Sequence, residues 1–213
     1  MDIFSSRYLI RRGLYEFIKN NLSGHELGLV VDVGAGRAPY RGLLKCKKYI
    51  GIDVERRADV ENLIIADINK DIPMDSDSVD VVILTEVLEH LRNPVRAMEE
   101  LYRVLKPGGR LVLTTPLLWP LHEEPNDFQR FTKYGLGEIF KNSGFKEFKI
   151  TGYGNYVLSA LILAMFPLRK KIFVPVTLVL NCVGLIFLKF RFGSSVFMIS
   201  NYAVATKYYK SKK

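Results

Sequence analysis

Cysteine is scarce. The 213-residue chain has two, Cys46 and Cys182, far apart in sequence. Without a Cys-x-x-Cys pair the usual zinc and iron–sulfur frameworks are excluded, and two isolated thiols read as ordinary buried residues of a reducing compartment. The N-terminus lacks a charged stretch followed by an unbroken apolar run, so no signal peptide is read there. Internal repeats, low-complexity tracts and long polar linkers are missing too, and the length suits one enzyme-sized domain over residues 1–213. Acidic charge is the last shortage: 22 Asp plus Glu stand against 31 Lys plus Arg, a net charge of +9. Such a surplus suits an anionic partner. The basic residues gather at Arg7, Arg11 and Arg12, at Arg169-Lys170-Lys171, at Lys189 and Arg191, and at Lys207, Lys210, Lys212 and Lys213. Most of these clusters flank apolar segments. They do not interleave with aromatics across one surface, so an anionic membrane surface is favoured and no nucleic acid is expected.

What is present begins with Val30-Val31-Asp32-Val33-Gly34-Ala35-Gly36, an apolar run carrying an acid and ending in Gly-x-Gly. It reads as a strand entering a tight turn, with helix-compatible residues after it. Glycine lets backbone N–H groups approach a ligand closely, and a following helix would add its positive end. A dinucleotide site needs a third Gly three residues on. That position is Pro39, which has no N–H to donate, so a pyrophosphate is disfavoured.

Tyr49-Ile50-Gly51-Ile52-Asp53 reads as a second strand ending in an acid, at the spacing where Rossmann-type sites hold a ribose diol. Leu63-Ile64-Ile65-Ala66 runs into Asp67, and Val79 to Thr85 runs into Glu86-Val87-Leu88-Glu89-His90-Leu91. A helical pattern over Pro94–Leu105, a turn at Lys106-Pro107-Gly108-Gly109 and a strand over 110–115 follow. Strands alternating with helices imply a parallel α/β sheet with ligands at the carboxyl ends of its strands.

This ordered set resembles the class I S-adenosylmethionine-dependent methyltransferases, over roughly residues 28 to 115. The resemblance rests on Asp32-Val33-Gly34-Ala35-Gly36, Gly51-Ile52-Asp53, Ala66-Asp67-Ile68, Asp80-Val81-Val82 through Glu89-His90-Leu91, and Leu105-Lys106-Pro107-Gly108-Gly109. It implies a Rossmann-like, seven-stranded mixed sheet, mostly parallel with the last strand antiparallel, and helices on both faces. S-adenosyl-L-methionine is the implied cofactor. Gly34 and Gly36 would shape the turn under its methionine part, with Asp32 near the amino group. Asp53 would hold the ribose hydroxyls, Asp67 the adenine amine, and Thr85 with Glu86 the wall beside the sulfonium. Ala35, Ile52 and Ile68 belong to the same implied cofactor set. Ala38-Pro39-Tyr40 departs from relatives that continue with another Gly, a mark of subfamily character.

Two segments lie outside that pattern. Residues 5–22 read as an amphipathic helix, with Ile10, Leu14, Phe17, Ile18 and Leu22 on one side and Arg7, Arg11 and Lys19 on the other. It covers the cofactor end of the sheet or lies on a membrane surface. Residues 155–190 form an apolar helical insertion before the last strand: Tyr156–Pro167 and Ile172–Leu188 carry no charge. Neither shows a polar face, and Pro175, Asn181 and Gly184 interrupt the second. A substrate cap, a homodimer interface, or two short helices in one leaflet of the inner membrane face would each account for them, the last with peripheral or monotopic attachment on the cytoplasmic side. Related methyltransferases with long apolar insertions resemble those acting on polysaccharide or lipid-linked intermediates. A small glycan or lipid-linked acceptor, methylated on oxygen, is the resulting expectation; a membrane-associated, non-catalytic accessory module is the alternative.

The loop after the fifth strand carries His122, Asp127 and Arg130. His122 is read as base or acceptor orienter, and Arg130 as the grip on an anionic group, unless Asp127 and Arg130 merely pair to hold the loop. Thr132 is positioned to cap a helix over Lys133–Asn142. His90 is read as structural. His122 with Glu123, Glu124 and Asp127 offers metal-type donors without defined geometry, so no metal is expected.

Overall fold

A computed structural model describes residues 2–168, 171–190 and 198–208, without the side chains of Lys171, Lys189 and Phe190. Seven strands form one sheet: β1 (Glu26–Val33), β2 (Lys45–Asp53), β3 (Leu63–Ile65), β4 (Val79–Thr85), β5 (Leu105–Pro116), β6 (Glu147–Tyr153) and β7 (Ser200–Thr206). Their order is β3-β2-β1-β4-β5-β7-β6. The first five pair in parallel, and β7 runs antiparallel to both neighbours. The central strands β1 and β4 are apolar on both faces because helices cover both. Chain order reverses between them, and such a reversal opens a crevice at the strands' carboxyl ends.

One face is covered by α2 (Pro94–Val104) and α3 (Lys133–Asn142). In α2 the residues Ala97, Met98, Leu101 and Val104 recur at helical spacing and are buried, while Asn93 caps the first turn by accepting from Arg96 N. Thr132 caps α3 as expected, accepting from Gly135 N at 3.0 Å. The other face carries α1 (Tyr8–Leu22), α4 (Tyr156–Met165) and α5 (Val174–Phe190).

Helix α1 buries Leu9, Ile10, Leu14, Ile18 and Leu22 in the second core cluster. Its apolar side is therefore occupied by the protein, and the membrane-surface alternative for this helix is lost. The insertion also packs inward. Leu158, Ile162 and Met165 of α4 are buried. Asn181 of α5 donates from Nδ2 to the carbonyls of Ile3 and Ser5 at 2.6 and 3.0 Å, and the Thr177 hydroxyl donates to Phe4 O at 3.0 Å. Among the described residues no helix is long and apolar enough to cross a membrane. The basic residues Arg169, Lys170, Arg191, Lys210, Lys212 and Lys213 lie outside the described residues.

Three expectations are corrected. No α-helix follows the glycine turn: residues 34–44 hold only a 3-10 turn at Arg41–Leu43, because Ala38 adopts φ 49° and Pro39 follows it. The expected turn at residues 106–109 lies within β5, as its irregular start, where Gly108 N donates to Lys207 O and Lys207 N to Gly109 O. Cys182 is exposed on α5 and Cys46 half-buried, so neither is a core thiol.

Candidate active site

The turn after β1 is shaped by two left-handed glycines, Gly34 at φ 72° and Gly36 at φ 56°. A Cβ on Gly34 would sit 2.2 Å from Val87 Cγ2, whereas one on Gly36 would meet nothing within 4 Å. Gly34 supplies close packing, and Gly36 faces open space. The backbone donors of this turn are engaged internally. Gly34 N and Ala35 N both donate to Ile52 O, at 2.8 and 3.1 Å, and Gly36 N donates to Asp53 Oδ2 at 2.8 Å. The expectation of N–H groups and a helix end aimed at a ligand is therefore replaced by a cradle that offers shape and a carboxylate. Such a cradle suits a ligand without phosphate.

Asp53 stands at the end of β2, 7% exposed, beside this turn. Asp32 is buried below, accepting from the Tyr49 hydroxyl at 2.7 Å. Burial pushes its carboxyl up to about 7; the Tyr49 hydrogen bond opposes the shift and the Asp53 charge adds to it. Asp67 is half-buried after β3, where Asn69 N and Nδ2 donate to its Oδ1. It lines an open cleft of about 510 Å³ with Val54, Ile65, Ala66, Lys70 and Asp71. Ile52 and Ile68 are built into the core under α2, and Ala35 is buried, so these three support the cradle from beneath.

At the end of β4, Thr85 leads into Glu86, a non-glycine residue at φ 54°. Glu86 Oε1 is buried without a hydrogen-bond partner. Burial lifts its carboxyl to about 7 against the opposing charge of Arg130. Glu89 is fully buried and is raised well above the ordinary range, by burial first and by Glu86 second. The Tyr40 phenol is pushed up by burial and by the nearby Glu86 and Asp32.

The loop after β5 folds back onto this end. Phe128 N donates to Glu89 O at 3.0 Å, Gln129 Nε2 to Leu91 O at 3.1 Å, and Asn201 Nδ2 of β7 to Phe131 O at 2.8 Å. His122 and Asp127 meet, with Nδ1 to Oδ2 at 3.1 Å and the His122 backbone N–H on the same oxygen at 3.0 Å. Arg130 grips Asp127 with both arms, at 2.5 and 2.7 Å, and holds its carboxyl well below the usual range. Its other donors face the carbonyls of Trp119, Pro120 and Gln129. Arg130 thus clasps the loop, and the expected grip on a substrate anion has no free fork to make it.

Glu89, His90 and Tyr40 also belong to this site, although sequence reading had not placed them there. His90 Nδ1 lies 2.7 Å from Asn126 O, and its ring meets that of His122 edge-on with centroids 4.8 Å apart. The signal available was a pair of acids and a His closing an otherwise apolar strand, Glu86-x-x-Glu89-His90.

Residues 31–113 match a family described as a methyltransferase domain. The chain is 27% identical over 164 residues to an uncharacterized protein of Methanocaldococcus jannaschii, covering 70% of this chain and 78% of the other. It is 36% identical over 93 residues to an uncharacterized methyltransferase of Mycobacterium tuberculosis, covering 44% of this chain and about a third, 35%, of that protein's length. Its fold is similar to the crystal structure of a SAM-dependent methyltransferase from Archaeoglobus fulgidus, with a TM-score of 0.60, 18% identity and 94% of each chain covered.

S-adenosylmethionine fits the residues present: a phosphate-free cradle, open space above Gly36, and carboxylates at the ends of three adjacent strands, Asp32, Asp53 and the Asp67 just past β3. Residues 31–113 thus match a methyltransferase domain, and the chain shares its fold with S-adenosylmethionine-dependent methyltransferases of known structure.

Proposed function

We propose that the protein methylates an oxygen of a small glycan or lipid-linked acceptor, working as a peripheral protein at the cytoplasmic face of a membrane. When bound, the cofactor supplies a methyl group already activated on a sulfonium. Asp53 accepts from the ribose hydroxyls, Asp67 from the adenine amine, and Asp32 from the ammonium of the methionine part. Gly34 and Gly36 give the turn its shape, and Thr85 with Glu86 walls the side where the methyl group sits.

The acceptor is served by His122. Asp127 accepts from its Nδ1–H, which fixes the tautomer and leaves the Nε2 lone pair to take a proton or orient the acceptor hydroxyl. Arg130 holds Asp127 in place, so the three residues act in series. Alignment of acceptor oxygen with the methyl carbon supplies much of the rate in such a transfer. The observation that carries this reading is the His122–Asp127 contact, held by the loop over the same strand ends that carry Asp53 and Glu86.

A lipid-side acceptor is supported by α5, where Val176, Val179 and Ile186 are exposed on one side with no charge among them. The test is methyl-labelled S-adenosylmethionine incubated with protein and host extract split into lipid and aqueous fractions, beside an Asp53→Ala control. Label in the lipid fraction that requires Asp53 is expected. Label confined to the aqueous fraction would refute the lipid-linked acceptor, and cofactor binding without any transfer would favour a non-catalytic accessory module.

A further inference from the structure

We propose that Glu89, His90 and His122 form a binding site for a divalent first-row transition cation, which holds and acidifies the acceptor hydroxyl. One ligand atom from each of the three lies within 4.8 Å of the other two. Distance alone does not make a site, and here the tautomers add to it. His90 Nδ1 faces the Asn126 carbonyl at 2.7 Å. A carbonyl only accepts, so Nδ1 carries the proton and Nε2 keeps its lone pair. His122 Nδ1 faces the Asp127 carboxylate in the same way, which leaves its Nε2 as a lone pair also. Imidazoles whose Nδ1–H is held by a carbonyl or carboxylate have the support that metal-ligating histidines use.

The third donor supplies the independent observation. Glu89 is 0% exposed. Its Oε2 accepts from Thr115 Oγ1 at 3.3 Å, but Oε1 has no hydrogen-bond partner and lies 3.7 Å from His90 Nε2. Oε1 and the His90 Nε2 lone pair therefore face each other 3.7 Å apart with no donor between them, a gap that a cation or a proton would fill. Two imidazole nitrogens and one carboxylate suit zinc, manganese, cobalt or iron(II) better than magnesium or calcium, which prefer all-oxygen sets. Three protein ligands leave positions open for water and an acceptor oxygen. A hydroxyl bound there becomes more acidic, which an O-methylation needs. The purpose assigned to the cation rests on the methyl-transfer reading; the site itself does not. With the cation present, His122 serves the acceptor as a ligand and not as its base: the hydroxyl's proton passes to solvent water, its oxygen bonds to the methyl carbon, and the carbon–sulfur bond breaks to leave the thioether.

The test is titration of tag-free, chelator-stripped, full-length protein with Co2+, followed by visible absorption, in the wild type and in Glu89→Gln, His90→Gln and His122→Gln. Near-ultraviolet circular dichroism and S-adenosylhomocysteine affinity serve as fold controls. Saturable uptake of one Co2+ per chain, lost in each folded variant, is expected. Should Glu89→Gln fail to fold, His122→Gln on its half-exposed loop carries the test. No stoichiometric uptake, or equal uptake by wild type and variants, would overturn the site; Co2+ uptake without its absorption changing in the His variants would overturn it too, by placing the cation elsewhere. Methyl transfer to extract fractions is measured on the same samples, so an inactive protein with intact Co2+ binding would refute the methyl-acceptor reading alone.

Discussion

Tyr49 donates its hydroxyl to Asp32 at 2.7 Å, joining neighbouring strands β1 and β2 at the floor of the cofactor cradle. The bond only partly offsets the burial of Asp32, whose carboxyl is raised from 3.8 to about 7. An acid raised by folding contributes its stability at low pH, and that contribution fades as pH climbs from its unfolded value of 3.8 through about 7. Cofactor binding runs the other way, because an ammonium prefers the ionised carboxylate. Affinity for S-adenosylhomocysteine should rise about tenfold between about pH 5.5 and about pH 7. Calorimetric titration at both pH values checks this, and Asp32→Asn should flatten the profile. A pH-independent affinity in the wild type would place the ammonium away from Asp32.

The two glycines of the turn should separate fold from binding. Gly34→Ala drives a Cβ into Val87 and should destabilise the protein strongly. Gly36→Ala meets no protein atom, so its penalty is the left-handed backbone alone, roughly 1–2 kcal/mol, or a few degrees in Tm. Its cost should fall on the ligand: cofactor affinity drops at least about tenfold. Thermal unfolding and ligand titration on both variants decide it, and unchanged affinity in a folded Gly36→Ala protein would remove the turn from the binding surface.

Much of this arrangement was legible in the chain because it is local. Val30–Val33, Tyr49–Asp53 and Val79–Thr85 each carry an apolar strand and its terminal acid within a few residues, and strand ends share one edge of a parallel sheet. The missing helix after Gly36 was harder, since Arg37-Ala38 is helix-compatible and only the backbone at Ala38 shows the break. His90 reads as structural in the sequence because its partners, Asn126 and His122, lie 36 and 32 residues away on a loop whose return no local pattern encodes. Asn181 and Gly184 looked like interruptions of an apolar helix. They are its docking points, one bonded to the N-terminal carbonyls and the other giving Leu9 room.

His122→Ala should lower kcat by about 100-fold or more while leaving cofactor affinity nearly unchanged, because His122 lies on the acceptor loop and apart from the cradle. Arg130→Ala should act differently. It leaves a buried Asp127 carboxylate, 1% exposed, without its counter-ion, so the loop should loosen by roughly 3 kcal/mol. Arg130→Lys cannot restore the two-armed grip. Faster proteolysis near Leu121 and Phe128 in both Arg130 variants, but not in His122→Ala, is the expected pattern. Equal protection in all three would show that the clasp does not hold the loop.

The exposed side of α5 gives a prediction that separates a membrane from a second copy of the chain. Val176, Val179 and Ile186 are 47, 60 and 55% exposed, and Ile172 just before the helix is 78% exposed. Among the described residues α5 is anchored by Asn181, Thr177 and Gly184, on the side away from these three. Val176→Asp with Val179→Asp should therefore leave Tm within a few degrees, as surface changes do. Its effect should appear in co-sedimentation with vesicles rich in anionic lipid, which the wild type should join and the variant largely abandon. Salt should weaken the wild-type binding, because the net charge of +9 contributes to it. If the wild type ignores vesicles and sediments as a dimer that the double variant splits, the stripe is a protein interface, and the acceptor need not be lipid-linked.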